Sequence, residues 1–219
     1  MRKDDIMICP SMMVADFRNL EKTVQELDEA GSDVFHIDIM DGSFVPNFGM
    51  GLQDIEAIRK STDKLIDVHL MISNPGNYIE TFVNLGVDII YIHPESELHP
   101  ARTLAQIKEK NIKVGIAINP GTSVEAIKPL LHLIDYLMVM TVNPGFAGQD
   151  YLDYVDDKID EIIKVKDDYG FEVLVDGAIS SDKIKMLKNK GVKGFVLGTS
   201  GLFGKERSYK ELISEYRDY

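Results

Sequence analysis

Short apolar runs alternate with amphipathic stretches eight times from one end of this chain to the other, and no other feature narrows its fold so far. The predicted strands are Ile6–Cys9, Val34–Ile39, Leu65–Leu70, Ile89–His93, Val114–Ile118, Tyr136–Met140, Glu172–Val175 and Gly194–Leu197. A segment of helical periodicity follows each one: Phe17–Ala30, Leu52–Lys60, Tyr78–Leu85, Pro100–Lys110, Val124–Leu133, Tyr151–Asp168, Ser181–Lys190 and Tyr209–Tyr216. Asp16, Asn77 and Ser123 are candidate helix caps, and Gly31, Gly86, Gly170 and Gly191 candidate helix ends. Strand–helix repeats build parallel sheets, because parallel neighbours need long connections. Eight units in 219 residues predict an α/β fold, a single (β/α)8 TIM barrel over residues 1–219. An open doubly wound sheet is the rival. It usually has fewer repeats, and no GxGxxG follows the first strand here.

The charge balance narrows the partners. Acidic residues number 36 against 24 basic, a net charge of −12. Such a surface has no electrostatic footprint for nucleic acid or anionic membrane. An anionic substrate would be repelled at long range and must be held by local donors. The single cysteine, Cys9, forms no internal disulfide and fits a reducing compartment. The start MRKDDIMICP lacks a long apolar run, and nothing reaches the roughly 18 apolar residues of a membrane span. A cytoplasmic homo-oligomer acting on a small molecule is the expectation.

In a barrel of this kind the active site lies at the C-terminal ends of the strands. Ser11 follows the first strand there. His36 and Asp38, two apart, share one face of the second; Asp67, His69 and Met71 do the same on the third. His93 and Glu95 follow the fourth, Asn119 the fifth, TVNPGFAGQ the sixth, Asp176 the seventh and LGTSG the eighth. Polar residues gather at one end while the opposite loops look plain. A lone strand histidine is more often structural than functional. Two histidines and two aspartates at equivalent strand ends reverse that, since buried charges are costly unless paired or bound to metal. His36, Asp38, His69 and Asp176 can hold one divalent transition ion, and their mixed N/O donors suit Zn²⁺, Mn²⁺, Fe²⁺ or Co²⁺. Asp41 reads as a turn former beside Gly42. Asp67 reads as structural or as a partner of a ligand, and His93 and Glu95 stand between loop structure and substrate contact. Met40, Met71 and Met140, core residues by default, also suit an apolar wall around reacting carbons.

The glycines suit phosphate. Gly145 and Gly148, flanking Phe146 and Ala147, would let backbone N–H groups point into a small concavity. Gly177 and Gly198–Ser200 lie after strands seven and eight, where such barrels bind phosphate at the start of a short helix. These loops carry no lysine or arginine.

The segments CPSMMVADF, HIDIMDGSFVPN, DVHLMISNP, MTVNPGFAGQ, VDGA and GTSGLF, from Pro10 to Phe203, resemble the ribulose-phosphate 3-epimerase family. The resemblance implies a metal held by His36, Asp38, His69 and Asp176, with Asp38 and Asp176 as acid and base. It implies substrate contact at Ser11, with His69 a further candidate, and phosphate held by Gly145–Gly148, Gly177, Ala178 and Gly198, Thr199 and Ser200. Ala178 and Ala147 stand where many members have glycine. HPE at His93–Glu95 and GTSGLF look like the D-allulose-6-phosphate branch.

The expected reaction inverts carbon 3 of D-allulose 6-phosphate to give D-fructose 6-phosphate, the metal polarising the carbonyl while two aspartates move protons on opposite faces. The alternative is the D-ribulose 5-phosphate to D-xylulose 5-phosphate reaction, and a second is a non-catalytic sugar-phosphate-binding barrel. Decarboxylases and aldolases share such scaffolds, but the chain has neither a DxKxD pattern nor a lysine at a strand's C-terminal end.

Overall fold

A computed structural model describes residues 6–219. Residues 1–5, the start of the predicted domain and of the N-terminal reading, lie outside the described residues. Eight strands and eight α-helices alternate: β1 (Met7–Pro10), α1 (Leu20–Glu29), β2 (Val34–Met40), α2 (Leu52–Ser61), β3 (Leu65–Met71), α3 (Ile79–Asn84), β4 (Ile89–Ile92), α4 (Pro100–Glu109), β5 (Lys113–Ile118), α5 (Val124–Ile127), β6 (Tyr136–Met140), α6 (Val155–Tyr169), β7 (Glu172–Asp176), α7 (Ser181–Lys190), β8 (Gly194–Leu197) and α8 (Tyr209–Asp218). All ladders are parallel, in the order β1-β8-β7-β6-β5-β4-β3-β2. A single bridge, Ser11 to His36, joins the first strand's end to β2. The result is a (β/α)8 barrel.

Period-two alternation sorts each strand's side chains. Ile8, Phe35, Ile37, Ile66, Val68, Ile90, Leu137, Val139, Val173 and Val175 belong to the outer core beneath the helices. Met7, Cys9, Val34, Tyr91, Met138, Met140, Leu174 and Val196 form a second cluster. These alternate with the outer set, so they fill the barrel interior. His36, Asp38, Asp67, His69 and Asp176 have the same parity and therefore face inward too. Gly115 on β5 makes room for a large interior ring, since a Cβ there would sit 2.3 Å from Tyr91 Cδ1. No helix among the described residues is long and apolar enough to cross a membrane.

Several boundaries differ from expectation for local reasons. A 3-10 turn over Phe17–Asn19 precedes α1, and Asp16 caps that turn by accepting from the Arg18 N–H. Asn77 caps nothing with its side chain; it closes another 3-10 turn, Pro75–Asn77. Ser123 does cap α5, through the Ala126 N–H at 3.3 Å. The α5 segment tightens to 3-10 geometry over Lys128–Leu133, where Pro129 has no N–H for an α-helical bond. α6 begins at Val155 rather than Tyr151, and the Leu152 N–H ahead of it bonds the Thr141 carbonyl at 2.9 Å. The four predicted end-glycines all have positive φ, from +74° to +105°.

Candidate active site

Register sets the first contacts. Asp38 on β2 lies beside His69 on β3, His36 beside Asp67, and Met40 beside Met71. Met140 on β6 lies beside Asp176 on β7, and Ser11 beside His36. Inward-facing residues on these rungs converge at the C-terminal mouth. His36 Nε2 and His69 Nδ1 each lie 3.2 Å from Asp38 Oδ1. Asp176 Oδ2 is 3.8 Å from the first nitrogen and 3.6 Å from the second. One ligand atom from each of the four residues fits within 4.8 Å of all the others. The imidazoles are fully buried, Asp38 nearly so, and Asp176 half-buried. No lysine or arginine lines the pocket to neutralise the two carboxylates. A tight, mixed N/O set with excess negative charge fits a divalent transition ion.

Each donor is held from behind. Ser11 Oγ donates to Asp38 Oδ2 at 2.9 Å, leaving Oδ1 to the imidazoles. His36 Nδ1 lies 2.6 Å from Asp67 Oδ1. His69 Nε2 lies 2.8 Å from His93 Nε2. Burial alone would push the His36 imidazole down, but the Asp67 and Asp38 carboxylates hold it well above the ordinary histidine value. Burial likewise opposes charge on His69, and hydrogen bonds to Asp176 and Asp38 raise it. Against burial, the same two imidazoles hold the Asp38 carboxyl below its usual range. Asp67, desolvated, is raised. Burial pushes His93 down to about 4, so it is neutral.

The pocket above this cluster is lined by Ser11, Asp38, Asp176, the three predicted methionines, Gly145–Gln149, Gly177, Ala178 and Gly198–Ser200. His69 does not line it; it is fully buried, its Nδ1 3.2 Å from Asp38 Oδ1 and 3.6 Å from Asp176 Oδ2, both of which do line the pocket. Met13 also lines the pocket and packs with Met40, Met71 and Val45. The motif reading passed over Met13 because it lies beyond the first strand, in the 3-10 turn Met12–Val14.

The β6–α6 loop has the irregular backbone that its glycines suggest, with φ +118° at Gly145 and +79° at Gly148. Asn47 Nδ2 donates to the Gly145 carbonyl at 2.7 Å, and Gln149 Nε2 to those of Asn143 and Phe146 at 2.6 and 2.8 Å. Ala178 sits at φ +52°, a left-handed conformation that glycine adopts more easily. Residues 199–204 form successive turns, with Leu202 and Phe203 N–H groups bonded to the Gly198 carbonyl, and not the short helix expected there. Asp41 is the turn former it was read to be: Oδ1 accepts from Ser43 and Phe44, Oδ2 from Ser73.

Over residues 7–203 the sequence matches the model of the "Ribulose-phosphate 3 epimerase family". The chain belongs to that family. A ribulose-phosphate 3-epimerase of Bacillus subtilis is 39% identical over 215 residues, covering 97% of this chain and 98% of that protein. One from Synechocystis is 38% identical over 218 residues, covering 98% and 94%. Among solved structures, KGPDC from Streptococcus mutans superposes with a TM-score of 0.73 at 14% identity, covering 96% of this chain and 95% of that one. That likeness shows the barrel alone. Family membership makes this chain a carbohydrate-phosphate epimerase, an isomerase acting on a ketose phosphate. The relatives carry the pentulose name, which favours the alternative reading over the allulose phosphate. Not all of the residues behind the allulose expectation reach the pocket. Glu95 of HPE accepts from the Asn119 N–H at 2.9 Å and from Thr122, and is absent from the pocket lining. Leu202 and Phe203 of GTSGLF are buried in the outer core.

Proposed function

We propose that the enzyme interconverts D-ribulose 5-phosphate and D-xylulose 5-phosphate by two-base proton transfer at carbon 3. The observation that carries this reading is the pair Asp38 and Asp176, brought from β2 and β7 into one ion-sized cluster and both open to the pocket. His36, Asp38, His69 and Asp176 would hold one Zn²⁺, Mn²⁺, Fe²⁺ or Co²⁺. Such an ion supplies Lewis-acid polarisation of the ketone oxygen.

The residues do the rest. A proton beside a ketone is too weakly acidic for an unaided carboxylate, and transfer needs contact near 3 Å. Asp38 takes the carbon-3 proton from one face, and Asp176 delivers one to the other; in the reverse direction they exchange roles. Ser11 steadies the Asp38 oxygen that its hydroxyl reaches. Backbone N–H groups of Gly145–Gly148, Gly177, Ala178 and Gly198–Ser200 anchor the phosphate and so fix carbon 3 between the carboxylates. Met13, Met40, Met71 and Met140 exclude water from the enediolate. The names of the relatives support the pentulose over the hexulose. The test compares kcat/KM for D-ribulose 5-phosphate and D-allulose 6-phosphate side by side. A one-carbon change moves the reacting centre by roughly 1 Å against fixed anchors, worth on the order of a hundredfold. Preference for the pentulose is expected, and preference for the hexulose would overturn the substrate assignment.

A further inference from the structure

His69 and His93 meet beneath the pocket with their Nε2 atoms 2.8 Å apart and their rings stacked, centroids 5.0 Å apart. Both are fully buried. At that distance one nitrogen must donate and the other accept. What each ring does with its second nitrogen decides which. His69 Nδ1 faces Asp38 Oδ1 at 3.2 Å and Asp176 Oδ2 at 3.6 Å, inside the four-residue cluster. His93 Nδ1 makes no standard hydrogen bond among the described residues, and the acceptor it faces is Glu95 Oε2, 3.5 Å away. Glu95 is itself pinned, its Oε1 accepting from the Asn119 N–H at 2.9 Å and from the Thr122 hydroxyl. An ionised carboxylate can only accept. The proton on His93 therefore belongs on Nδ1, towards Glu95. That leaves His93 Nε2 bare to accept from His69 Nε2–H.

We propose that His93 and Glu95 are positioning residues that lock His69 with its proton on Nε2 and so turn its Nδ1 lone pair into the metal cluster. The inference rests on the metal assignment proposed above. The other imidazole is set in the opposite sense, with Asp67 against His36 Nδ1 at 2.6 Å and His36 Nε2 facing the cluster. Each ligand ring is thus backed by a carboxylate, His36 directly and His69 through an intervening imidazole. Partners of this kind fix a ligand's tautomer and orientation, and their loss typically weakens metal binding 10–100-fold.

The experiment uses the whole chain loaded with Zn²⁺ and labelled with ¹⁵N-histidine. Long-range ¹H–¹⁵N spectra should show His69 protonated at Nε2 and His93 protonated at Nδ1. Chelator competition should show His93→Leu and Glu95→Ala binding Zn²⁺ about 10–100-fold more weakly than wild type. His93→Gln, whose amide oxygen can accept from His69, should recover most of that loss. A merely structural role would lower the melting temperature of these variants without moving the tautomers or the metal affinity. His93 protonated at Nε2, or His93→Leu binding Zn²⁺ within about threefold of wild type against the loss expected for a ligand's partner, would overturn the relay alone. A wild-type chain that binds no Zn²⁺, Mn²⁺, Fe²⁺ or Co²⁺ would overturn the metal assignment and the relay with it. If His93→Leu does not fold, the wild-type spectra and Glu95→Ala decide.

Discussion

Two pocket glycines should respond very differently to one added methyl group. Gly177 has φ +116°, and a Cβ there would lie 2.5 Å from Val142 Cγ2 and 2.9 Å from the Val142 backbone nitrogen. A side-chain-bearing residue held in so sparsely populated a conformation costs ~1–3 kcal/mol. Forcing a methyl against buried Val142 and its backbone adds about 1–3 kcal/mol, because backbone cannot step aside as a flexible side chain would. Gly177→Ala should therefore lose about 2–6 kcal/mol, a fall in melting temperature of roughly 5–20 °C for a chain of this length. Gly198 lines the same pocket, yet a Cβ there meets no heavy atom within 4 Å and its φ lies outside the left-handed region. Gly198→Ala should stay within about 0.5 kcal/mol of wild type, and any defect should appear in KM. Urea unfolding followed by circular dichroism, on wild type and both variants, measures the contrast. Gly177→Ala unfolding within about 1 kcal/mol of wild type would refute the reasoning, since a strained conformation alone should cost that much.

Protein purified without chelator should carry about one transition-metal equivalent per chain, and stripping it should abolish epimerisation until the metal is restored. Asp38→Asn and Asp176→Asn should each abolish inversion, while the remaining carboxylate can still exchange solvent deuterium on its own face; near-normal turnover in either, with metal content checked, would rule out the two-base scheme. Glu95 is held at about 2 against an ordinary 4.5: burial opposes this, and the neighbouring His93 ring together with the hydrogen bonds from Thr122 and the Asn119 N–H lower it. Its contribution is present above pH 4.5 and lost as the pH falls towards 2, on the order of 3 kcal/mol in all. Glu95→Gln should flatten the stability curve in that window, and a wild-type acid limb in the variant would contradict it.

The barrel was legible in the sequence because short apolar runs recur eight times between amphipathic stretches, four of which end at a glycine. The ends of α1 and α5 were not, since they turn on single backbone groups: the Arg18 N–H goes to Asp16, and Pro129 has none to give. Four of the inward residues announced themselves by type at strand ends. The partners behind them were candidates too, but which ring each one backs was not readable. Asp67 meets His36 only through the β2–β3 register, and His93 meets His69 only through side chains reaching across adjacent strands. One-dimensional spacing holds neither fact. Ala178 shows the reverse case: it stands where the family resemblance has glycine, and the backbone still holds it at a positive φ.

The barrel has a thin seam. Seven neighbouring strand pairs share ladders, whereas β1 and β2 are joined at the mouth by one bridge, Ser11 to His36, and lower down by the Asp33 N–H to the Ile8 carbonyl at 3.0 Å. The proposed ligands straddle it: His36 and Asp38 lie on one side, and Asp176, reached through β1 and β8, on the other. An ion shared among them would act as a buckle, closing the cylinder where its own hydrogen bonds are fewest. Occupancy would then govern how often the ring springs open, adding about 4 kcal/mol when free ion exceeds its dissociation constant a thousandfold. The slow-exchanging amides of β1 and β2 would be the place to watch it fasten.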